Sequence, residues 1–160
     1  MGSIALLATD RETRKAAEAK LTLDRKLRPT EEEREAKLAN NRAEVAQMEG
    51  IEAGIHAAQA GNRTADIAKA FLDVLAKHGM ERLGRMGYPI GLSYPPDWGE
   101  RTASIRTEDE TILQPGMVFH FMPALWMDSW GLETTETILI KDSGPAEVFC
   151  NMERKLFVKD

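Results

Sequence analysis

The sequence predicts an α+β fold, with helices in the first half of the chain and a curved antiparallel sheet in the second. Three observations carry this reading. Residues 10 to 59 are rich in Ala, Glu, Lys, Arg and Leu, "NRTADIAKAFLDVLAKHG" (62–79) places apolar residues at helical spacing, and beyond Gly84 the apolar residues fall in short β-branched or aromatic runs.

Taken in order, Asp10 to Arg28 reads as a charged helix that Pro29 stops. Thr30 followed by "EEER" opens a second helix, with Thr30 as cap and acids in the first turn, running from Glu31 to about Gln59 and closed by Gly61-Asn62. Leu38, Val45, Met48, Ile51, Ile55 and Ala58 lie at helical spacing along it. Gly50 and Gly54 inside this helix cost stability unless something packs close to them. Residues 10 to 44 are polar all round, which suits a solvated or partner-facing segment better than a share of the core. In the third helix Thr64 can cap, Asp66 suits the positive end, and Ile67, Phe71, Val74 and Leu75 line one face before Gly79. "GMVFHFMPALWM" (116–127), "TTETILIKD" (134–142) and "AEVFCNM" (146–152) read as strands, and "KDSGPAE" (141–147) as the hairpin turn between the last two.

Composition narrows the function classes. A length of 160 residues with 42% apolar content supports one folded unit with a real core. The net charge of -5, with no Lys/Arg run unopposed by acids, argues against nucleic acid as a partner. Cys150 is the single cysteine, so neither an internal disulfide nor a thiolate metal cluster can form, which suits a reducing, cytoplasmic setting. The opening "MGSIALLATD" has only five consecutive apolar residues and no basic residues before them, too few for a signal peptide or a membrane span.

The segment "GYPIGLSYPPDWGE" (87–100) holds Tyr88, Tyr94 and Trp98 on a stiff, helix-incompatible stretch. Together with "LQPGMVFHFMP" and "WGLETTETILIKDSGPAEVF" it resembles the C-terminal half of the pita-bread fold shared by creatinase, aminopeptidase P, prolidase and methionine aminopeptidase. The resemblance covers roughly residues 44 to 160 and is similar above all to the ectoine hydrolase branch. It divides the chain into a charged helical leader, 1–43, unlike the family, and a pita-bread half-domain, 44–160. In that family two metal-binding aspartates come from strands ahead of the "GYPIG" block. No strand pattern precedes residue 44 here, so the resemblance implies an incomplete catalytic domain.

Matched position by position, the chain departs from the peptidase pattern. The ligand histidine falls on Tyr88 and the second histidine of that block on Pro95. The glutamate of the "GMV…EP" block falls on Met122, and that of the "R-x-E-D" block on Thr135. A phenol, a thioether and a hydroxyl supply neither the charge nor the basicity that divalent Mn, Co or Zn prefers, so the resemblance implies a site with no metal and no cofactor.

Strand alternation puts residues 133, 135 and 137 on one face and 134 and 136 on the other. If Thr135 faces the pocket, Glu133 does too and Glu136 points away, while His120 shares a face with Met122. A pocket of His120, Met122, Glu133 and Thr135, rimmed by Tyr88, Tyr94, Trp98 and Trp126, suits a small cationic or zwitterionic ring, because aromatic faces attract delocalised cations by about 0.5–2 kcal/mol each. The first function this implies is metal-independent hydrolysis of a C–N bond in a cyclic amidine, with Glu133 as carboxylate base or nucleophile and His120 as proton donor or orienting group. The second is a non-catalytic half-domain that binds a partner or forms a homodimer through its open sheet edge. A metallopeptidase is the third. Residue by residue the plainer alternatives stay open: aromatic loops also cap cores, a histidine in an apolar strand is often only hydrogen-bonded, and Met48, Met117, Met122 and Met127 suit packing. His56 and His78 read as surface or helix-end residues.

Overall fold

A computed structural model describes residues 15, 30–91, 102–127, 130–150 and 152–154. The helix expected over Asp10 to Arg28 lies outside them, apart from Lys15, which is helical. The chain divides into two compact units, Met1–Ala39 and Asn40–Asp160.

In the first unit Thr30 caps the opening of α1 (Glu31–Ala57) as its sequence demands. The Thr30 hydroxyl accepts the Glu33 N–H at 3.1 Å, and the Glu33 carboxylate accepts the Thr30 N–H at 2.6 Å, a reciprocal capping box.

In the second unit the buried face of α1 differs from the expected apolar stripe. Val45 is exposed, Met48 only half-buried, and the buried positions are Ala43, Ala46, Gln47, Gly50, Ile51, Gly54 and Ile55. The reason is close approach. A Cβ on Gly50 would lie 2.7 Å from the Phe71 ring, and one on Gly54 would lie 2.7 Å from the Phe121 ring. The helix therefore seats on the core through small residues while two aromatic rings fill the space that side chains would take.

Helix α2 (Thr64–Lys77) buries Ile67, Phe71 and Leu75 fully, with Val74 at the margin. Its cap is Arg63, not Thr64. Asp66 accepts the Arg63 N–H at 2.8 Å and pairs with its guanidinium at 2.7 Å, and that hydrogen bonding holds the Asp66 carboxyl below its usual value. Thr64 instead sends its hydroxyl 2.8 Å to the Asp109 carbonyl and carboxylate, tying the helix start to the segment ahead of the sheet.

Strands β1 (Gly87–Pro89), β2 (Val118–Phe121), β5 (Glu136–Leu139) and β6 (Glu147–Val148) form one antiparallel sheet in the order β1-β2-β5-β6. A separate antiparallel pair joins β3 (Ala124–Trp126) to β4 (Gly131–Glu133). The β5–β6 connection turns through Gly144 at φ 74°, where the hairpin was expected, although β6 is shorter than the run "AEVFCNM" suggests. Phe119, Phe121 and Ile138 point into the core, where Phe121 meets Phe71 edge-on with ring centroids 6.3 Å apart. Alternation then sends Tyr88, His120 and Thr137 to the opposite face. No helix among the described residues is long and apolar enough to cross a membrane.

Overpacking a core costs about 1–3 kcal/mol, more than the ~0.5–1 kcal/mol that alanine returns to a helix interior. Gly54→Ala is therefore expected to lower the urea midpoint of unfolding. A variant at least as stable as the native chain would contradict the packing described.

Candidate functional site

The two strand pairs share one register. Phe121 pairs with Glu136 and Ala124 with Glu133, so three steps along one strand match three steps back along the other. Met122 and Pro123 therefore stand opposite Thr135 and Thr134 in a gap where no ladder bonds form. Pro123 is the local cause, since it has no N–H to give.

The Pro123 carbonyl freed at this gap finds another partner, and the strand beside it is held from the β1 side. The buried Gln47 side-chain amide donates to the Pro123 carbonyl, and Arg82 Nε donates to the Ala124 carbonyl. The Met122 N–H donates to the Met86 carbonyl at 2.7 Å. Burial pulls the Arg82 guanidinium below its ordinary pKa, and the charge of Glu133 opposes that shift. Helix α1 and the 82–86 segment thus hold open the place where the ladder stops.

Because the register carries through, side chains alternate consistently across the gap. His120, Met122, Glu133, Thr135 and Thr137 fall on one face, and Glu136 falls on the core face with Phe121 and Ile138. Glu136 is buried, and its carboxylate accepts from Arg154, which also pairs with Glu52 on α1. Glu133 and Thr135 are exposed, whereas His120 and Met122 are half-buried.

Tyr88 and His120 are direct cross-strand partners, with rings 5.2 Å apart and tilted by 47°. The guanidinium of Arg85 lies 5.0 Å above the Tyr88 ring centroid. Trp126 stands at the far end of the β3–β4 pair, 72% exposed, with its ring over Gly131, where a Cβ would come within 2.6 Å. The structure therefore puts Tyr88, His120 and Thr137 on one rung, Met122 and Thr135 at the gap two residues on, Glu133 on the rung that borders the gap from the other side, and Trp126 at the far end of the hairpin. Tyr94 and Trp98 lie outside the described residues.

Sequence reasoning missed Arg85, Arg82 and Gln47. Arg82 and Arg85 precede β1 on a segment of no regular periodicity, so no spacing rule gives their direction. Gln47 is a polar residue on a helix face whose burial follows from the glycines beside it.

As a metal site the gap fits poorly. Tyr88, Met122 and Thr135 offer one phenol, one thioether and one hydroxyl, and among the described residues no group of three or more His, Cys, Asp or Glu converges to hold an ion.

Two helices against one face of an antiparallel sheet, followed by a hairpin that continues its register, define the C-terminal part of a pita-bread domain. The solved structures bear this out. The chain superposes on the dipeptidase PepE of Mycobacterium ulcerans with a TM-score of 0.64 at 26% identity, covering 71% of this chain and 30% of that one. It matches the X-Pro aminopeptidase of Thermotoga maritima with a TM-score of 0.67 at 19% identity, covering 82% and 35%. The chain belongs to metallopeptidase family M24, whose sequence profile matches residues 25–142. It is 61% identical over 119 residues to the ectoine hydrolase of Halomonas elongata, covering 74% of this chain and 30% of that protein. An uncharacterized hydrolase/peptidase of Sinorhizobium fredii is 39% identical over 113 residues, or 71% of this chain and 29% of that one. The chain thus spans about a third of the length of these relatives.

An orphaned buried carbonyl costs about 1–3 kcal/mol. Gln47→Ala is expected to lose stability in that range and to shift the NMR signals of Met122 and Thr135. Unchanged stability with unmoved signals would show that the gap does not depend on α1.

Proposed function

We propose that this chain builds one wall of the pocket of a C–N hydrolase acting on a small cyclic amidine of the ectoine class, and that the wall works without a divalent metal. The identity of 61% to ectoine hydrolase supports the substrate class. The observation that carries metal independence is the donor set at the gap, Tyr88, Met122 and Thr135, which cannot neutralise or firmly coordinate a hard divalent ion.

The chemistry then falls to protein groups. Hydrolysis adds water to the amidine carbon, and one ring C–N bond breaks to leave an amide and an amine. Glu133 takes the proton of the attacking water, and His120 returns a proton to the departing ring nitrogen, so that atoms and charge balance. Four residues of strand, about 13 Å at ~3.3 Å each, separate the Glu133 rung from the Thr137–His120 rung. The two groups therefore act from opposite sides of a ligand lying over Met122 and Thr135 rather than on each other. Tyr88 and Trp126 bound this stretch of hairpin, and Tyr94 and Trp98 belong to the same proposed rim.

A second reading, in which the chain associates with itself and catalyses nothing, draws on one observation. Leu83 is 95% exposed and shares a cleft of about 290 Å³ with Glu81, Arg82 and Trp126, itself 72% exposed, an apolar surface fit for a second copy.

Calorimetry of the chain with ectoine, in EDTA and then with added Mn, tests the first reading. Binding is expected to persist unchanged in chelator and to weaken at least tenfold in His120→Gln. Binding that vanishes in chelator and returns with Mn would overturn metal independence. Silence toward ectoine, with light scattering showing a dimer at micromolar concentration, would move the assignment to the second reading.

A further inference from the structure

The sheet face described above carries a cation that the pocket reading does not use. Arg85 lies 5.0 Å above the Tyr88 ring, on the row where Tyr88 meets His120. Its side chain is exposed, and among the described residues no carboxylate pairs with it. Three other arginines are committed elsewhere. Arg63 pairs with Asp66 and Glu110, Arg82 donates to three backbone carbonyls, and Arg154 pairs with Glu52 and Glu136. Arg82 also donates to the carbonyl of Arg85 itself at 3.0 Å, which fixes the backbone from which the Arg85 side chain rises.

A guanidinium held over an aromatic face keeps N–H groups that the ring does not use. Those groups form a fork that matches a carboxylate through two parallel hydrogen bonds. The geometry points to Arg85, held by Tyr88, as the anchor for a carboxylate on the ring ligand, and so as the residue that selects zwitterionic substrates over merely cationic ones. This rests on the proposed substrate class and deepens it. With Arg85 over its ring, Tyr88 positions an arginine instead of receiving the ligand's own cation. The charges of the wall then run from positive at Arg85 to negative at Glu133, and a zwitterion lies along the hairpin with its carboxylate beside Tyr88 and its amidinium toward Glu133.

The test is calorimetry of the full chain with two probes, ectoine and ectoine methyl ester, which lacks the carboxylate charge. A charge-assisted hydrogen bond contributes roughly 1.5–3 kcal/mol, about tenfold or more in affinity. The native chain is expected to favour ectoine over the ester by at least that factor. Arg85→Gln should abolish the preference and Arg85→Lys should restore part of it, while His120→Gln should weaken both probes without changing their ratio. Equal affinity of the native chain for the two probes, or a preference that survives in Arg85→Gln, would overturn the anchor and leave the amidine reading standing. If neither probe binds, the amidine reading fails, and the anchor is judged with benzoate against benzamide by NMR. Tyr88 shifts caused by benzoate alone and lost in Arg85→Gln would sustain the anchor, and their absence would end it.

Discussion

The site depends on a single interruption in an otherwise continuous antiparallel ladder. Pro123 cannot donate, so pairing stops between Phe121–Glu136 and Ala124–Glu133, yet it resumes in the same register. Each buried carbonyl left at such a break would cost about 1–3 kcal/mol without a partner. Gln47 takes the Pro123 carbonyl, and Arg82 holds the neighbouring Ala124 carbonyl from the other side of the strand. Gln47 can do so only because α1 lies close to the sheet, and it lies close because Gly50 and Gly54 admit the rings of Phe71 and Phe121. Backbone geometry, helix composition and site geometry are thus one linked constraint.

Register also decides which carboxylate is structural. Glu136 faces the core and meets Arg154, a pair whose disruption leaves a buried charge without compensation. Glu133, three residues earlier, falls on the open face with Thr135, where its charge acts on Arg82. Two glutamates in one short run therefore take opposite roles because alternation continues across the gap. On the same open face, Tyr88 and His120 face each other across a rung, and Arg85 completes a cation–ring–imidazole series that faces outward.

Much of this was legible from residue order. The capping signal at Thr30, the face of α2 and the hairpin near Gly144 follow from local chemistry and match the structure. The opposed directions of Glu133 and Glu136 follow from a period of two. What local rules could not give was contact between distant segments. The stripe on α1 was assigned to Val45 and Met48 because large apolar residues normally mark the buried face, whereas here aromatic side chains from α2 and β2 invert that rule. Thr64 looked like a cap because nothing nearby announces that Asp109 claims its hydroxyl. Arg85 reaches Tyr88 from an irregular segment, where no periodicity reports direction.

The central proposal is that Tyr88, Met122 and Thr135, which share one face of the sheet beside the ladder gap, are placed to hold an ion but lack the chemistry for a divalent one. Titrating Mn into the native chain and into the triple variant Tyr88→His, Met122→Glu, Thr135→Glu, each checked for folding by circular dichroism, tests both halves at once. The account predicts no stoichiometric uptake by the native chain and one ion per chain in the folded variant. Stoichiometric uptake by the native chain, or a folded variant that binds no better than it does, would contradict the account.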